Sequence, residues 1–398
     1  NTALGRLALD VNTTASNNTA VGNNALGANT TGGENVAVGN GALDANTTAS
    51  NNVGVGVSAG GSVTTGSNNT AIGRSALAAN TTGSENTAMG KEALAANSTG
   101  VNNVSVGVTS LLANTTGNNN TSVGQSSLKA NTTGSENTAC GRTALFANTT
   151  GNRNTALGNS ALNNCTTGSN NVAIGRGALD ASTTTNNNTA IGTECMTNTT
   201  ATNNTGVGYA VLESNTSGDN NTAVGVLSML SNTTGTQNTA VGRNSLDANT
   251  TGHNNCAFGS NALGVNTTGD SNCAFGKSAL SDMTTASNNV AIGEVCLDAC
   301  TTASNNTAVG HNALGLHTTG DGQNVCIGKD AGDSITTGQR NVCVGTNANP
   351  NSATASRQYV FGHDITGKGD QTFFAGGNTG SFNEFNSAHW NTTSDQRI

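Results

Sequence analysis

Apolar and polar positions recur along this chain in a cassette of about seventeen residues, close to Asn-Thr-Ala-Val-Gly-x-x-Ala-Leu-x-x-Asn-Thr-Thr-Gly-x-Asn. The cassette begins twenty-one times between Asn1 and Gly345. The spacing is seventeen residues throughout, except for sixteen before Asn204 and eighteen before Asn324. Such regularity indicates one structural unit per cassette, stacked on its neighbours, because a single unit buries too little surface to be stable alone.

Each cassette contains two β-prone stretches, Thr-Ala-Val and Asn-Thr-Thr, separated by a glycine and a compact Ala-Leu turn. This order fits one coil of a β-solenoid. The predicted fold is therefore an all-β parallel β-solenoid or β-roll of about 21 coils. Coils about 4.8 Å apart would form a rod on the order of 100 Å long. An amphipathic helix is disfavoured because glycine and β-branched residues recur too often.

Two positions of the cassette predict the core. The fourth position is apolar in every copy and the ninth is Leu in most copies, so we expect both to point inward. The second position shares a strand face with the fourth, because strand side chains alternate. Met196 and Met229 replace the ninth-position Leu with similar volume, whereas Gly60 and Gly332 are exceptions. Examples of the two rows are Val21, Val38 and Ile72 (fourth) and Leu26, Leu43 and Leu77 (ninth).

The third position holds only Ala, Gly, Ser or Cys, which indicates that something packs closely against it. Two interpretations remain open. The neighbour is a turn or strand of the same coil, or it is another copy of the chain across a symmetry axis.

Glycine holds the fifth position in every copy, as at Gly5, Gly22, Gly39 and Gly73. We expect a strand-ending corner with a positive φ, or a backbone approach that any Cβ would block.

Asparagine recurs at the twelfth position, as in Asn29 and Asn46, and at the first, as in Asn18 and Asn35. The twelfth position predicts an inward side chain, because residues that prefer interiors replace Asn there. Stacked amides of this kind can hydrogen-bond along the solenoid, and we predict one ladder at each position. The replacements that prefer interiors are Val63, Cys165, Met283, Cys300 and Ile335.

Composition argues against a disordered chain, a nucleic-acid-binding protein and a membrane-spanning protein. The net charge is only −8 over 398 residues, so the low hydrophobicity does not indicate disorder. Fourteen scattered Lys and Arg residues give no basic stripe for nucleic acid. No run of eighteen apolar residues predicts a membrane span, and the first residues already belong to a cassette rather than to a signal peptide.

No pattern of catalytic or metal-binding residues stands out, and the sequence predicts a protein that is not an enzyme and holds no cofactor or metal. The five His residues are scattered, without a His-x-x-x-His pair. They are His253, His311, His317, His363 and His389.

Nine Cys residues follow the cassette, and we expect them to behave as small buried residues: Cys140 at the core fourth position, and Cys165 and Cys300 in the Asn row. Stacking would place Cys256 beside Cys273, and Cys326 beside Cys343, about 5 Å apart and within disulfide range. Oxidation is possible but not required, and the odd number of Cys fits a reduced interior.

Asn-x-Thr sequons are abundant, but an inward Asn cannot carry a glycan. The candidate glycosylation sites are the loop residues Asn17, Asn68, Asn119 and Asn305.

Ice binding is a rival function, because Thr recurs at the thirteenth and fourteenth positions and regularly spaced Thr on a flat solenoid face can match an ice lattice. The shifts at Asn204 and Asn324 predict kinks in that Thr array.

Beyond the shaft of residues 1–345, the sequence predicts a polar linker at 346–356 and an aromatic-rich C-terminal β cap at 357–390. Large aromatic residues suit a cap that covers the exposed end of a solenoid core. They include Tyr359, Phe361, Phe373, Phe374, Phe382, Phe385 and Trp390.

The cassettes resemble the shaft repeats of tailed-phage and related viral fibre proteins and, more distantly, the head coils of YadA-type trimeric autotransporter adhesins. Residues 391–398 resemble the junction before an endosialidase-type intramolecular chaperone, also called peptidase S74. That resemblance implies Ser394 as a self-cleavage residue, with Asp395 and Arg397 matching the motif. The chain continues past Thr393, where such cleavage would end it.

The resemblance implies a homotrimer located extracellularly or on a virion surface, whose chains meet at the small third position. Its partners would be other copies, virion or filament neighbours, and a host-surface receptor or glycan bound by a part not present here. The predicted function is a structural fibre for attachment or adhesion. A self-assembling extracellular filament is the alternative, and an ice-binding solenoid is a further one.

Overall fold

The computed structural model describes residues 1–376, 381–384 and 391–392. The chain is an all-β parallel β-solenoid of about 22 turns, and none of the described residues is helical. The predicted solenoid is therefore confirmed. The chain divides into two units, Asn1–Thr202 and Asn203–Ile398.

The first unit contains one three-residue strand per coil, formed by the second to fourth cassette positions. Neighbouring strands pair in parallel with identical positions in register, so Ala20 lies beside Ala37. The strands are β1 (Thr2–Leu4), β2 (Thr19–Val21), β3 (Val36–Val38), β4 (Val53–Val55), β5 (Thr70–Ile72), β6 (Thr87–Met89), β7 (Val104–Val106), β8 (Thr121–Val123), β9 (Thr138–Cys140), β10 (Thr155–Leu157), β11 (Val172–Ile174) and β12 (Thr189–Ile191).

The second unit repeats this arrangement. β23 is also parallel to its neighbour β22, whereas β24 and β25 pair antiparallel. The strands are β13 (Thr205–Val207), β14 (Thr222–Val224), β15 (Thr239–Val241), β16 (Cys256–Phe258), β17 (Cys273–Phe275), β18 (Val290–Ile292), β19 (Thr307–Val309), β20 (Val325–Ile327), β21 (Val342–Val344), β22 (Tyr359–Phe361), β23 (Thr372–Ala375), β24 (Ser381–Glu384) and β25 (Asn391–Thr392).

The segment predicted as a linker, 346–356, instead completes the coil that begins with β21. Its Ala348 and Ala355 are buried at the eighth and fifteenth positions, as in other coils. Gln358 then takes the place of the first-position Asn, and its backbone N–H donates to Asn341 Oδ1 at 3.0 Å. The solenoid pattern thus extends beyond the cassettes that the sequence reveals.

The interior of each coil is narrow. The third, eighth and ninth positions are buried, as in Ala20, Ala25 and Leu26. The predicted inward Leu row is confirmed, including Leu43 and Leu77. The third position packs within its own chain, which is the first of the two interpretations left open above.

The ninth-position Leu adopts a left-handed backbone conformation, with φ of 50° at Leu26 and at Leu43. A left-handed residue other than glycine costs roughly 1–2 kcal/mol. Complete burial of a Leu side chain contributes about 1.5–3 kcal/mol, so burial outweighs the backbone strain. This conformation also explains why Gly60 and Gly332, with φ of 61° and 66°, can replace the Leu.

The predicted glycine corner is confirmed at the fifth position. Gly5, Gly22, Gly39 and Gly73 have φ of 141°, 135°, 141° and 130°. A Cβ on Gly22 would lie 2.4 Å from the carbonyl oxygen of Gly39 in the next coil. Both the positive φ and the close backbone approach therefore require glycine.

The twelfth-position Asn residues form the predicted inward ladder. Asn46 Nδ2 donates to Asn29 Oδ1 in the preceding coil at 2.7 Å. The same amide donates to the backbone carbonyl of Ala49 at 3.0 Å. Each amide therefore links two coils and also satisfies a carbonyl at its own corner.

The first-position Asn residues form the second ladder. The backbone N–H of Asn35 donates to Asn18 Oδ1 at 2.9 Å. Asn35 Nδ2 donates at 2.9 Å to Ala49 O, the carbonyl that Asn46 also contacts. The two ladders thus converge on one fifteenth-position carbonyl per coil.

Glycine at the ninth position occurs together with an apolar residue at the twelfth position in two coils. Gly60 shares its coil with Val63, and Gly332 shares its coil with Ile335. A Cβ on Gly60 would lie 3.5 Å from Val63 Cγ2, so the apolar twelfth residue lies next to the space that Leu leaves. The exchange leaves Asn46 Oδ1 without a hydrogen-bond partner, because Val63 supplies no amide to it.

Replacing Gly90 by Ala tests the glycine corner. Its φ is 137°, and a Cβ would lie 2.5 Å from Gly107 O, so we expect a loss of about 2 kcal/mol or more in the free energy of unfolding. Chemical denaturation measures the change. The control is Gly177→Asn, because nothing lies within 4 Å of that Cβ position and Asn24 has φ of 60° at the equivalent position. Equal effects of the two variants would contradict this account.

Gly60→Leu and Val63→Asn test the paired replacement. Gly60→Leu alone should be destabilising by about 1–3 kcal/mol, because its Cβ would lie 2.7 Å from Leu43 Cδ2 in an already filled site. Adding Val63→Asn should recover the loss, since it opens space and offers Asn46 Oδ1 an amide donor. A double-mutant cycle by chemical denaturation measures the coupling. Simple additivity would show that the two positions are independent.

Candidate functional site

The main functional candidate is the outer strand face of each unit, defined as the second- and fourth-position side chains of β1–β12 in the first unit and of β13–β21 in the second. The expectation that the fourth position points into the core is wrong. Val38 and Ile72 are 37% and 36% exposed, and Val21 is only partly buried. The alternation was predicted correctly, but the third position takes the inward face because the coil is too narrow for a larger residue there.

Within each unit this face presents an apolar row. The fourth position is Leu, Val, Ile, Met, Phe or Cys in all twenty-one coils, and the second is Thr, Val or Cys. Met89 and Ile292 are 41% and 42% exposed. A row of adjoining apolar side chains differs from the singly scattered ones of an ordinary surface, which makes it a candidate interaction site.

Charged residues lie at the corners on either side of the strands. Lys277 Nζ lies 3.2 Å from Glu294 Oε1, just after the glycine corner. Arg153 Nε lies 2.8 Å from Glu136 Oε2, just before the next strand. These pairs are exposed and contribute at most about 1 kcal/mol each. Because these pairs flank the strands, the outer strand face has an apolar centre and a polar border.

The nine cysteines divide into three groups, all with free thiols. Cys140 is exposed, so its predicted core position is wrong for the same reason as the fourth-position row. Cys256 and Cys273 are partly exposed on the outer strand face. The predicted burial is confirmed for the others, which are Cys165, Cys195, Cys296, Cys300, Cys326 and Cys343.

The thirteenth-position Thr hydroxyls form hydrogen bonds between successive coils of the solenoid. Thr30 Oγ1 donates to the backbone carbonyl of Thr47 at 3.0 Å, so its hydroxyl lies along the stack. At the eighteen-residue coil, Thr318 Oγ1 still donates to Thr336 O at 3.3 Å, and the predicted kink does not interrupt the row there. The fourteenth-position Thr is exposed, whereas the thirteenth is only partly exposed in most coils, which weakens the match to a two-dimensional ice lattice.

The four candidate glycosylation residues, Asn17, Asn68, Asn119 and Asn305, are exposed. Beyond the first coil the twelfth-position Asn residues are buried, which confirms the reason for setting their sequons aside. The proposed cleavage residue Ser394, like Asp395 and Arg397, lies outside the described residues.

Comparison with known proteins adds no family to this description, because no protein-family model and no curated protein matches the chain. Among the described residues, no group of three or more His, Cys, Asp or Glu side chains is placed to hold a metal ion. The same part of the chain contains no helix long and apolar enough to cross a membrane.

His317 is a buried titratable residue that sequence analysis left unexplained. It occupies the twelfth position of the eighteen-residue coil and is fully buried, and neither ring nitrogen has a hydrogen-bond partner. Burial lowers the pKa of its imidazole from 6.5 to about 4, and the nearby Thr336 backbone opposes this shift. The side chain is therefore neutral in the folded protein at neutral pH.

Replacing His317 by Asn should remove a pH-dependent instability. Because the imidazole pKa is lower in the folded state, the unfolded state binds the proton more tightly below pH 6.5. The wild type should therefore lose stability relative to the variant as pH falls from 6.5, by up to about 3 kcal/mol near pH 4, with no further loss below. Unfolding curves of both proteins across this pH range measure the difference. A constant difference would contradict the neutral buried assignment.

Proposed function

We propose that this chain is the shaft of a structural fibre in which copies associate through the outer strand face, as a homotrimer. The observation that carries the proposal is the apolar fourth position, which is exposed or partly exposed to solvent yet polar in none of the twenty-one coils. An exposed row would tolerate polar residues in some copies if it only faced water. A persistent requirement for apolar side chains supports a partner on that face.

The composition of the face supports association of identical chains. Apolar residues form the centre, while ion pairs such as Lys277–Glu294 lie at its border, which is the usual arrangement of a protein interface. A second copy would present the same apolar row and the same regular spacing. The partner that fits this face is therefore another copy of the chain.

The size of the face within one unit is on the scale of an interface. A three-residue strand is about 10 Å long and coils are about 4.8 Å apart, so the coils of β1–β12 in the first unit present on the order of 600 Å². This is the same order as the roughly 800 Å² that a stable interface buries from each partner. Because the third position is buried inside its own coil, the proposed contact between chains is formed by the second and fourth positions instead.

The resemblance of the cassettes to viral fibre shafts and trimeric adhesin heads supports the trimer over a dimer. By the same resemblance we propose an extracellular or virion-surface location and a role in reach and attachment. Recognition of a receptor or glycan would belong to another part of the assembly, because the coils repeat nearly the same surface. The aromatic segment 357–390 is proposed to cap the solenoid.

Native mass spectrometry of the intact assembly tests the proposal. We expect a mass of three times 39.2 kDa. The variant Ile72→Lys with Val123→Lys should be monomeric, since two charges would have to be buried in each interface. Circular dichroism checks that both proteins are folded.

The matched control places the same charges on another side of the same coils. Thr82 and Thr133 are exposed at the fourteenth position, so Thr82→Lys with Thr133→Lys should remain trimeric. A monomeric wild type, or a trimer that persists in the Ile72 and Val123 variant, would overturn the proposed interface. Open-ended assemblies that the outer-face lysines do not dissociate would favour the filament.

A further inference from the structure

Strands β16 and β17 carry the sequence Cys-Ala-Phe in two successive coils. Their parallel register places Cys256 beside Cys273 and Phe258 beside Phe275. All four side chains belong to the outer strand face. This is a local departure from the usual Thr-Ala-Val pattern of the strand.

The two thiols are close neighbours. Cys256 and Cys273 pair directly in register, each affects the pKa of the other, and both side chains are only partly buried. Two residues further along the strands, the Phe258 and Phe275 rings stack with centroids 4.7 Å apart and planes 3° from parallel. This stacking holds the two strands in alignment beside the thiols.

No other cysteine of the chain combines a cysteine neighbour in the adjoining coil with partial exposure. Cys326 and Cys343 are also adjacent in register, but both are fully buried. Cys140 is exposed, but Val123 and Leu157 lie beside it in the adjoining coils. The pair on β16 and β17 is therefore both adjacent and accessible.

We propose that Cys256 and Cys273 form an intrachain disulfide that joins two successive coils on the outer strand face, with a low-molecular-weight disulfide such as oxidised glutathione as the oxidant. In-register residues of adjacent parallel strands have Cα atoms about 4.8 Å apart, which is within the 4.4–6.8 Å range of disulfides. The thiols need to approach by side-chain rotation only.

The proposed thiol–disulfide exchange with oxidised glutathione takes place in two steps. The thiolate of one cysteine attacks the small disulfide, forming a mixed disulfide and releasing one glutathione thiolate. The thiolate of the second cysteine then attacks the protein sulfur and releases the second glutathione. The two cysteines are oxidised, two glutathiones are formed by reduction, and the two thiol protons end on them.

We expect thiol–disulfide exchange at Cys256 and Cys273 to be slow near neutral pH. Burial raises the pKa of both thiols, and the charge on Cys273 further raises the pKa of Cys256. Only the thiolate attacks a disulfide, so the rate should rise roughly tenfold between pH 7 and pH 8.

The inference needs only one chain and does not rest on the proposed trimer. The two proposals concern the same surface, because self-association would cover the outer strand face. Intermolecular pairing of the same cysteines would therefore support an interface while overturning the intrachain link. The experiment has to distinguish the two links.

Peptide mapping can do so directly. The full-length protein is incubated with oxidised glutathione at pH 8, free thiols are blocked, and the chain is digested with trypsin without reduction. Cleavage after Arg243 and Lys277 releases residues 244–277, which contain Cys256 and Cys273 and no other cysteine. We expect this peptide as a single chain lighter by two hydrogen atoms.

Two controls use residues that the chain itself accepts at equivalent positions. Cys256→Thr restores the usual second-position residue, and Cys273 should then carry glutathione as a mixed disulfide. Cys140→Val restores a common fourth-position residue and should leave the 244–277 product unchanged. Two joined copies of peptide 244–277, glutathione on both cysteines, or unreacted thiols after prolonged exposure would each overturn the intrachain disulfide.

Discussion

Parallel stacking of identical positions is the constraint on which the rest of this structure depends. Each coil hydrogen-bonds to the next through backbone groups in register, as where Thr19 N–H donates to Asn35 O at 2.9 Å. The close approach at the corners leaves no room for a Cβ on Gly22 or Gly39. It also brings corner carbonyls inside, where they need donors because no water reaches them. The two Asn ladders supply those donors.

The same constraint makes the interior narrow. One Leu and a few small side chains fill each coil, so bulky residues on the strand have to point outward. The solenoid therefore carries an apolar row inside and another outside. The inner row stabilises the coil, while the outer row is the surface through which we propose that copies associate. The repetition of one surface from coil to coil is consistent with the proposed shaft.

Irregular positions show how the pattern tolerates change. Val63 and Ile335 accompany the loss of the ninth-position Leu, and each such exchange removes an amide from the ladder. Cys165 interrupts the ladder as well, which leaves Asn148 Oδ1 without a partner. His317 interrupts it with a ring whose nitrogens are also unpaired. Apolar volume is thus maintained at the expense of some hydrogen bonds.

The sequence by itself determined the period, the β-solenoid, the glycine corner, the inward Leu26 row and both Asn ladders, because each depends on an interaction between identical positions of successive coils. It did not determine which strand face is inside, since alternation alone is symmetric. The restriction of the third position to small residues was the available signal, together with the many Thr hydroxyls at the second position that would lack partners inside. Nor did the sequence reveal that 346–356 completes a coil, because Ala348, Ala355 and Gln358 keep the inward positions without the cassette motif. Only the tertiary structure decided these points, because the space inside a coil is fixed by how closely the surrounding backbone closes around it.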